Sequence, residues 1–200
     1  ASEIEGFVLT RQWQELAGEQ HLVFWLSTAS GPLKVTQGNQ ESVFFVRTAD
    51  ITRVKRLLAT LKWYSTDRPL LNFHHEPVTA CYFATQKVLT LARTKLRGML
   101  PVYEADVRPT DRYLMERFIT AGVRVKGEAV FVDESGSNLQ SGQSFINPRL
   151  EPAEYQPTLT IASLDIETSY TENILYSIAV HSALEDKVFM VGDGDSSLSY

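Results

Sequence analysis

Two carboxylates separated by a single residue, Asp165 and Glu167, lie in a stretch that otherwise favours a strand. Residues 159–167 are nearly continuous β-forming sequence, and alternate side chains of a strand share a face, so both acids are predicted to point the same way, about 6 to 7 Å apart. Oxygen ligands of this kind suit Mg²⁺ or Mn²⁺. Two such ions would activate a water and stabilise the leaving oxygen in phosphodiester hydrolysis. The Asp-x-Glu pattern alone is also typical of two solvent-exposed acids at a strand end.

A second candidate for chemistry is a basic segment. No acid occurs between Glu76 and Glu104, and apolar residues at helical spacing predict a helix within this span. Its cations could neutralise phosphates and so bind DNA independently of sequence. An ordinary solvated helix face gives the same pattern. The four candidate DNA-binding residues are Lys87, Arg93, Lys95 and Arg97.

The charge distribution divides the chain. The net charge is -5 over 200 residues, but residues 1–150 carry a small positive excess, whereas residues 151–200 hold one base, Lys187, against nine acids. A polar stretch at 133–143 precedes this change. We therefore expect two domains, 1–150 and 151–200. The single cysteine, Cys81, excludes an internal disulfide and a cysteine-rich zinc module.

The periodicities predict an α+β fold. In the first domain, strands are expected at 6–11, 20–27, 42–47, 77–83 and 123–132. Three helices are expected: one after Asp50, one with Leu89, Ala92, Leu96 and Met99 on one face, and one over 109–120 that buries Leu114, Met115, Phe118 and Ile119. The second domain is expected to contain antiparallel strands at 159–167, 175–181 and 187–192. Three strands without a helix cannot bury both faces, so this domain is expected to be incomplete.

Several segments together resemble family B DNA polymerases. Residues 163–168, Ser-Leu-Asp-Ile-Glu-Thr, resemble the first exonuclease motif of that family, and residues 102–107 with 112–115 resemble its Tyr-Glu-Ala-Asp element and the following helix. Segments 6–11, 31–33, 40–43 and 107–109 resemble the bacterial branch called DNA polymerase II. The resemblance covers nearly the whole chain.

This resemblance implies the N-terminal part of a DNA-directed DNA polymerase with a 3′–5′ proofreading exonuclease, acting in DNA replication and repair. Residues 1–150 would be the polymerase N-terminal domain, and 151–200 the first antiparallel strands of an RNase H-like exonuclease domain. Asp165 is then expected to bind or bridge Mg²⁺ or Mn²⁺, and Glu167 to help position the metal and the attacking water. The fragment itself is expected to be inactive.

The implied partners are a DNA template and primer, deoxynucleoside triphosphates, and a sliding clamp contacted through regions outside this chain. A bacterial cytoplasmic location is expected, because a single cysteine and an acidic N-terminus without a signal pattern are typical of a protein in a reducing compartment. No membrane partner is expected, because no apolar run approaches the roughly 20 residues of a spanning helix. Two alternatives stay open. One is a noncatalytic nucleic-acid-binding or interaction module, and the other is a stand-alone RNase H-like exonuclease.

Overall fold

The computed structural model describes residues 2–131 and 143–192, which form two compact units, Ala1–Pro157 and Thr158–Tyr200. Residues 133–142 of the polar stretch lie outside the described residues. The helices are α1 (Ile51–Leu57), α2 (Gln86–Leu96) and α3 (Pro109–Met115), and a 3₁₀ turn, Thr48–Asp50, precedes α1. The strands are β1 (Ser2–Leu16), β2 (Glu19–Thr28), β3 (Gly31–Gln37), β4 (Ser42–Arg47), β5 (Tyr64–Leu71), β6 (Pro77–Phe83), β7 (Gly122–Gly127), β8 (Ala129–Phe131), β9 (Gln143–Ile146), β10 (Arg149–Pro152), β11 (Ala162–Thr168), β12 (Leu175–Ser182) and β13 (Asp186–Met190).

The larger sheet of the first unit has the strand order β10-β7-β1-β2-β3-β9-β8, with β3 and β9 parallel and the other neighbours antiparallel. Alternate residues of β2 and β3 are fully buried on one face, where the side chains of α3 cover them. A two-residue turn joins β1 to β2, and both of its residues have positive φ, as a type I′ turn requires: Ala17 at 52° and Gly18 at 83°. Strand β1 is much longer than the predicted 6–11, because β2 pairs along most of its length and β7 pairs with its first half.

The smaller sheet of the first unit has the order β4-β6-β5. The predicted strands at 42–47 and 77–83 are confirmed as β4 and β6, and helices α1 and α2 share one apolar cluster with them. Helix α2 begins at a Thr85 cap, whose Oγ1 accepts from the Val88 N–H at 3.4 Å. The prediction that Met99 continues its buried face is wrong, because the helix ends at Leu96 and Met99 is 49% exposed.

The third predicted helix is shorter than 109–120. It ends at Met115, and Phe118 adopts a left-handed conformation with φ of 56°, which turns the chain away. Consequently Leu114 and Ile119 are buried as predicted, but Met115 is 64% exposed and Phe118 is 85% exposed. The predicted α+β class is confirmed, with many strands and few helices.

The second unit contains a three-stranded antiparallel sheet in the order β11-β12-β13, as predicted. One face of this sheet is apolar and solvent-exposed, with Leu164, Ile166 and Phe189 each more than half exposed. Across the described residues of both units, no helix is long and apolar enough to cross a membrane.

Candidate metal centre

The acid pair lies on β11, close to the end of the strand. Asp165 is directly opposite Ala179 and Glu167 is directly opposite Ser177 on β12, and the regular pairing shifts immediately after Glu167. Directly opposite residues of an antiparallel pair place their side chains on one face. The neighbours across the strand are therefore small, and they leave the space above both carboxylates open.

Both carboxylates are available for a cation. Asp165 and Glu167 are solvent-exposed, and neither forms an ion pair with a described residue. The only hydrogen bond that the described residues make to these two carboxylates is local: the Ile166 backbone N–H donates to Asp165 Oδ1 at 3.1 Å. Contacts with other parts of the described chain therefore do not occupy the carboxylate oxygens.

The donor set fits a hard divalent ion held in part by other ligands. Magnesium keeps several waters and is commonly bound through one or two carboxylates together with substrate phosphates. The described part of the chain brings no three His, Cys, Asp or Glu side chains together in an arrangement that could hold a metal ion. Asp165 and Glu167 are therefore a partial ligand set rather than a complete cage.

A further polar pair shares this face of the sheet. His181 is opposite Ser163 on one side and opposite Asp186 on the other, and its Nδ1 contacts Asp186 Oδ1. Sequence reasoning missed this pair, because only the β12–β13 register places His181 and Asp186 side by side.

The candidate DNA-binding residues lie in the first unit. Lys87, Arg93 and Lys95 are exposed on α2, and Arg97 is exposed at its C-terminal cap. Arg93 Nη1 donates to the Ala105 carbonyl at 3.3 Å, so this side chain is fastened to the loop that follows the helix.

The Tyr-Glu-Ala-Asp element is built into the packing of the first unit. Tyr103 forms a bridge with Phe45 of β4, with N···O distances of 2.8 and 3.0 Å. Glu104 Oε2 accepts from Arg112 Nη2 at 2.8 Å, and Ala105 is buried. These contacts tie the element to the smaller sheet and to α3.

Comparison with known proteins gives sequence evidence over nearly the whole chain. The family described as "DNA polymerase II, N-terminal" matches residues 6–41. The chain is 38% identical over 197 residues to DNA polymerase II of Escherichia coli (strain K12). The chain is thus similar to DNA polymerase II. The predicted resemblance is confirmed, and the homologues are DNA polymerases.

The matches cover nearly all of this chain but only part of the proteins that it matches. The match covers 96% of this chain but 24% of the Escherichia coli protein, so the chain spans about a quarter of that relative's length. The fold is similar to that of the family B DNA polymerase from the hyperthermophilic archaeon Pyrobaculum calidifontis, with a TM-score of 0.69 and 15% identity. That similarity covers 97% of this chain and 28% of the archaeal one.

Proposed function

We propose that the chain is the N-terminal part of a DNA-directed DNA polymerase with a 3′–5′ proofreading exonuclease, and that it contributes two metal ligands to the exonuclease site. The observation that carries this proposal is the 38% identity to DNA polymerase II over 96% of the chain. We assign residues 1–150 to the polymerase N-terminal domain and residues 151–200 to the start of an RNase H-like exonuclease domain.

In this proposal Asp165 and Glu167 hold a divalent ion, Mg²⁺ or Mn²⁺. Family B DNA polymerases use divalent metal ions. When bound, such ions make water a stronger nucleophile and stabilise charge on the leaving oxygen of a phosphodiester. Asp165 would be the principal ligand of such an ion, and Glu167 would help to hold the ion and to position a water beside it. The small neighbours Ala179 and Ser177 leave room for a DNA end to approach the carboxylates.

The proposed partners are a DNA template and primer, with deoxynucleoside triphosphates and a sliding clamp bound by other parts of the longer protein. The proposed setting is DNA replication and repair in the bacterial cytoplasm. The 200-residue chain alone is proposed to be inactive, because two carboxylates hold two metals weakly.

The test uses the longer protein carrying this chain. Asp165→Ala with Glu167→Ala should lower 3′–5′ degradation of single-stranded DNA by about 100-fold or more, since even outer-shell changes at metal sites cost about 10–100-fold. Primer extension should remain near the parent rate. Glu172→Ala, which removes an exposed acid from the turn after β11, is the matched control and should leave both activities unchanged.

Two results would contradict the proposal. The first is exonuclease activity that survives the double substitution. The second is a reading frame that stops at Tyr200, or one that continues with further exonuclease acids but without a polymerase palm; these outcomes favour a binding module and a stand-alone nuclease respectively. Degradation of DNA by residues 1–200 alone that is lost in Asp165→Ala would overturn the proposed inactivity of the fragment.

A further inference from the structure

The two helices of the smaller sheet carry cations and no acids. No Asp or Glu occurs from 51 to 66 or from 77 to 103, the two spans that contain α1 and α2. The basic side chains of both helices and their C-terminal flanks are all exposed. They are Arg53, Lys55, Arg56 and Lys62 from the first span, and Lys87, Arg93, Lys95 and Arg97 from the second. We call these eight residues the basic face.

The fold brings the two spans together. Val54 and Leu58 of the α1 region and Leu89, Ala92 and Leu96 of α2 are all fully buried in one apolar cluster against β4 and β6. The helices contact each other while packing on this sheet, so their remaining sides point away from it. Residues separated by more than 30 positions in the sequence thereby contribute to one surface.

The cations of this face have no carboxylate partners. None of the eight forms an ion pair with a described residue, whereas Arg11, Arg47, Arg112, Arg124 and Arg149, which lie elsewhere in the same unit, each pair with an acid. Arg93 is held by the Ala105 carbonyl, which leaves its charge uncompensated. Glu15 is the acid that contacts a residue of this face: its Oε1 accepts a hydrogen bond from the backbone N–H of Lys87, at the edge of the face.

A surface with one sign of charge concentrates counter-ions and attracts polyanions. Neither helix contains an aromatic residue on which a base could stack. Recognition would therefore act mainly through phosphates, which gives binding that is strongly salt-dependent and independent of sequence.

We propose that the basic face binds the phosphodiester backbone of single-stranded nucleic acid through both helices together. The choice of nucleic acid over an acidic protein rests on the proposed function. The basic face belongs to the first unit and the acid pair to the second, and the two sites share no residue.

The experiment measures binding of the 200-residue chain to fluorescein-labelled 20-nucleotide oligo-dT and oligo-dA in EDTA, which removes any contribution from metal at Asp165. If three or four phosphates are neutralised, raising salt from about 50 mM to about 200 mM should weaken binding by about 20- to 50-fold. Oligo-dT and oligo-dA should bind within about threefold of each other, and a methylphosphonate oligomer with an uncharged backbone should not bind.

Two double substitutions, each of which removes two positive charges, test the two helices separately. Arg53→Gln with Arg56→Gln removes two cations from α1, and Lys87→Gln with Lys95→Gln removes two from α2. Each should weaken binding at about 0.1 M salt by about 10- to 30-fold and lower the salt slope by about 1.4. The control, Arg68→Gln with Arg108→Gln, changes the charge equally at exposed positions off both helices and should bind like the parent. Circular dichroism melts establish that all variants fold.

Four results would overturn the proposal: no binding at about 50 mM salt, an effect from only one helix, an equal effect from the control, or equally tight binding of poly-glutamate, which would favour an acidic protein partner. None of them bears on exonuclease activity of the longer protein, because that assay depends on Asp165 and Glu167. Failure of the basic face and failure of the proposed function are therefore distinguishable.

Discussion

Gln20 is a fully buried amide that joins the two sheets of the first unit. Its Nε2 donates to the Gln40 carbonyl at 3.1 Å and lies 3.1 Å from Ser42 Oγ, while its Oε1 accepts from the Gln86 N–H at 2.8 Å. Gln86 is the first residue of α2, so the amide also satisfies one of the N–H groups that a helix start leaves without an internal partner. We predict that Gln20→Leu destabilises the first unit.

The size of this effect can be worked out from the groups left behind. Leucine keeps most of the side-chain volume but leaves the Gln40 carbonyl and the Gln86 N–H without their hydrogen-bond partner. An unpaired buried polar group costs about 1–3 kcal/mol, so two cost about 2–6 kcal/mol. The gain from an apolar side chain offsets about 1 kcal/mol. The expected net loss of about 1–5 kcal/mol corresponds to a fall in Tm of about 2–20 °C for a unit of this size.

The assay is urea and thermal unfolding followed by tryptophan fluorescence and circular dichroism. The control is Gln14→Leu, the same substitution at an exposed position of β1, which should change the free energy of unfolding by no more than about 0.5 kcal/mol. If Gln20→Leu unfolds within about 1 kcal/mol of the parent protein, the two unpaired groups have found other partners. The reasoning about the amide would then be refuted.

Three further predictions concern single positions. Burial raises the pKa of the Cys81 thiol to about 12, so iodoacetamide should leave it unmodified in the folded protein and label it fully in denaturant, as mass spectrometry would show. The hydrogen bond from Lys126 lowers the pKa of Glu151, so its stabilisation is present above the ordinary carboxyl pKa and is lost as pH falls through the lowered value. Glu151→Gln should therefore reduce the fall in Tm between about pH 6 and about pH 3, and an unchanged fall would contradict this. In Gly122→Ala, the added Cβ would lie 2.0 Å from the Ala153 carbonyl oxygen, and we expect a loss of about 3 kcal/mol in chemical denaturation. Gly98→Ala should cost only about 1–2 kcal/mol, because open space surrounds it and the positive φ is the sole penalty.

The elements that could be predicted from the sequence are those whose local pattern and tertiary pairing agree. Strands β4 and β6 are runs of apolar, β-branched and aromatic residues over a full strand length, and their predicted bounds are confirmed. Strand β5 was not predicted, because it is an edge strand that includes Pro69 and its pairing is interrupted between Asp67 and Leu71. The end of α3 depends on the left-handed conformation of Phe118. A phenylalanine rarely adopts this conformation, so the sequence gives no indication of it.

The candidate sites could likewise be predicted only in part from the sequence. Strand geometry alone predicts that Asp165 and Glu167 share a face, but the small residues opposite them follow from the β11–β12 register. Sequence spacing found the basic side chains of α2. The contribution of Arg53 and Arg56 became visible only when the fold placed α1 against α2, because proximity in space has no counterpart in local periodicity.

The strand order of the first unit also dictates an order of assembly during synthesis. Every strand of the smaller sheet, both of its helices and the Gln20 amide that caps α2 precede residue 104, so this half can form while the rest of the chain is still being made. Strand β1 can pair with β2 at once through the turn at Ala17 and Gly18, but its other edge must wait, because Ser2 pairs with Gly127 of β7. Until β7 has been made, that edge of β1 stays open to pairing with other chains.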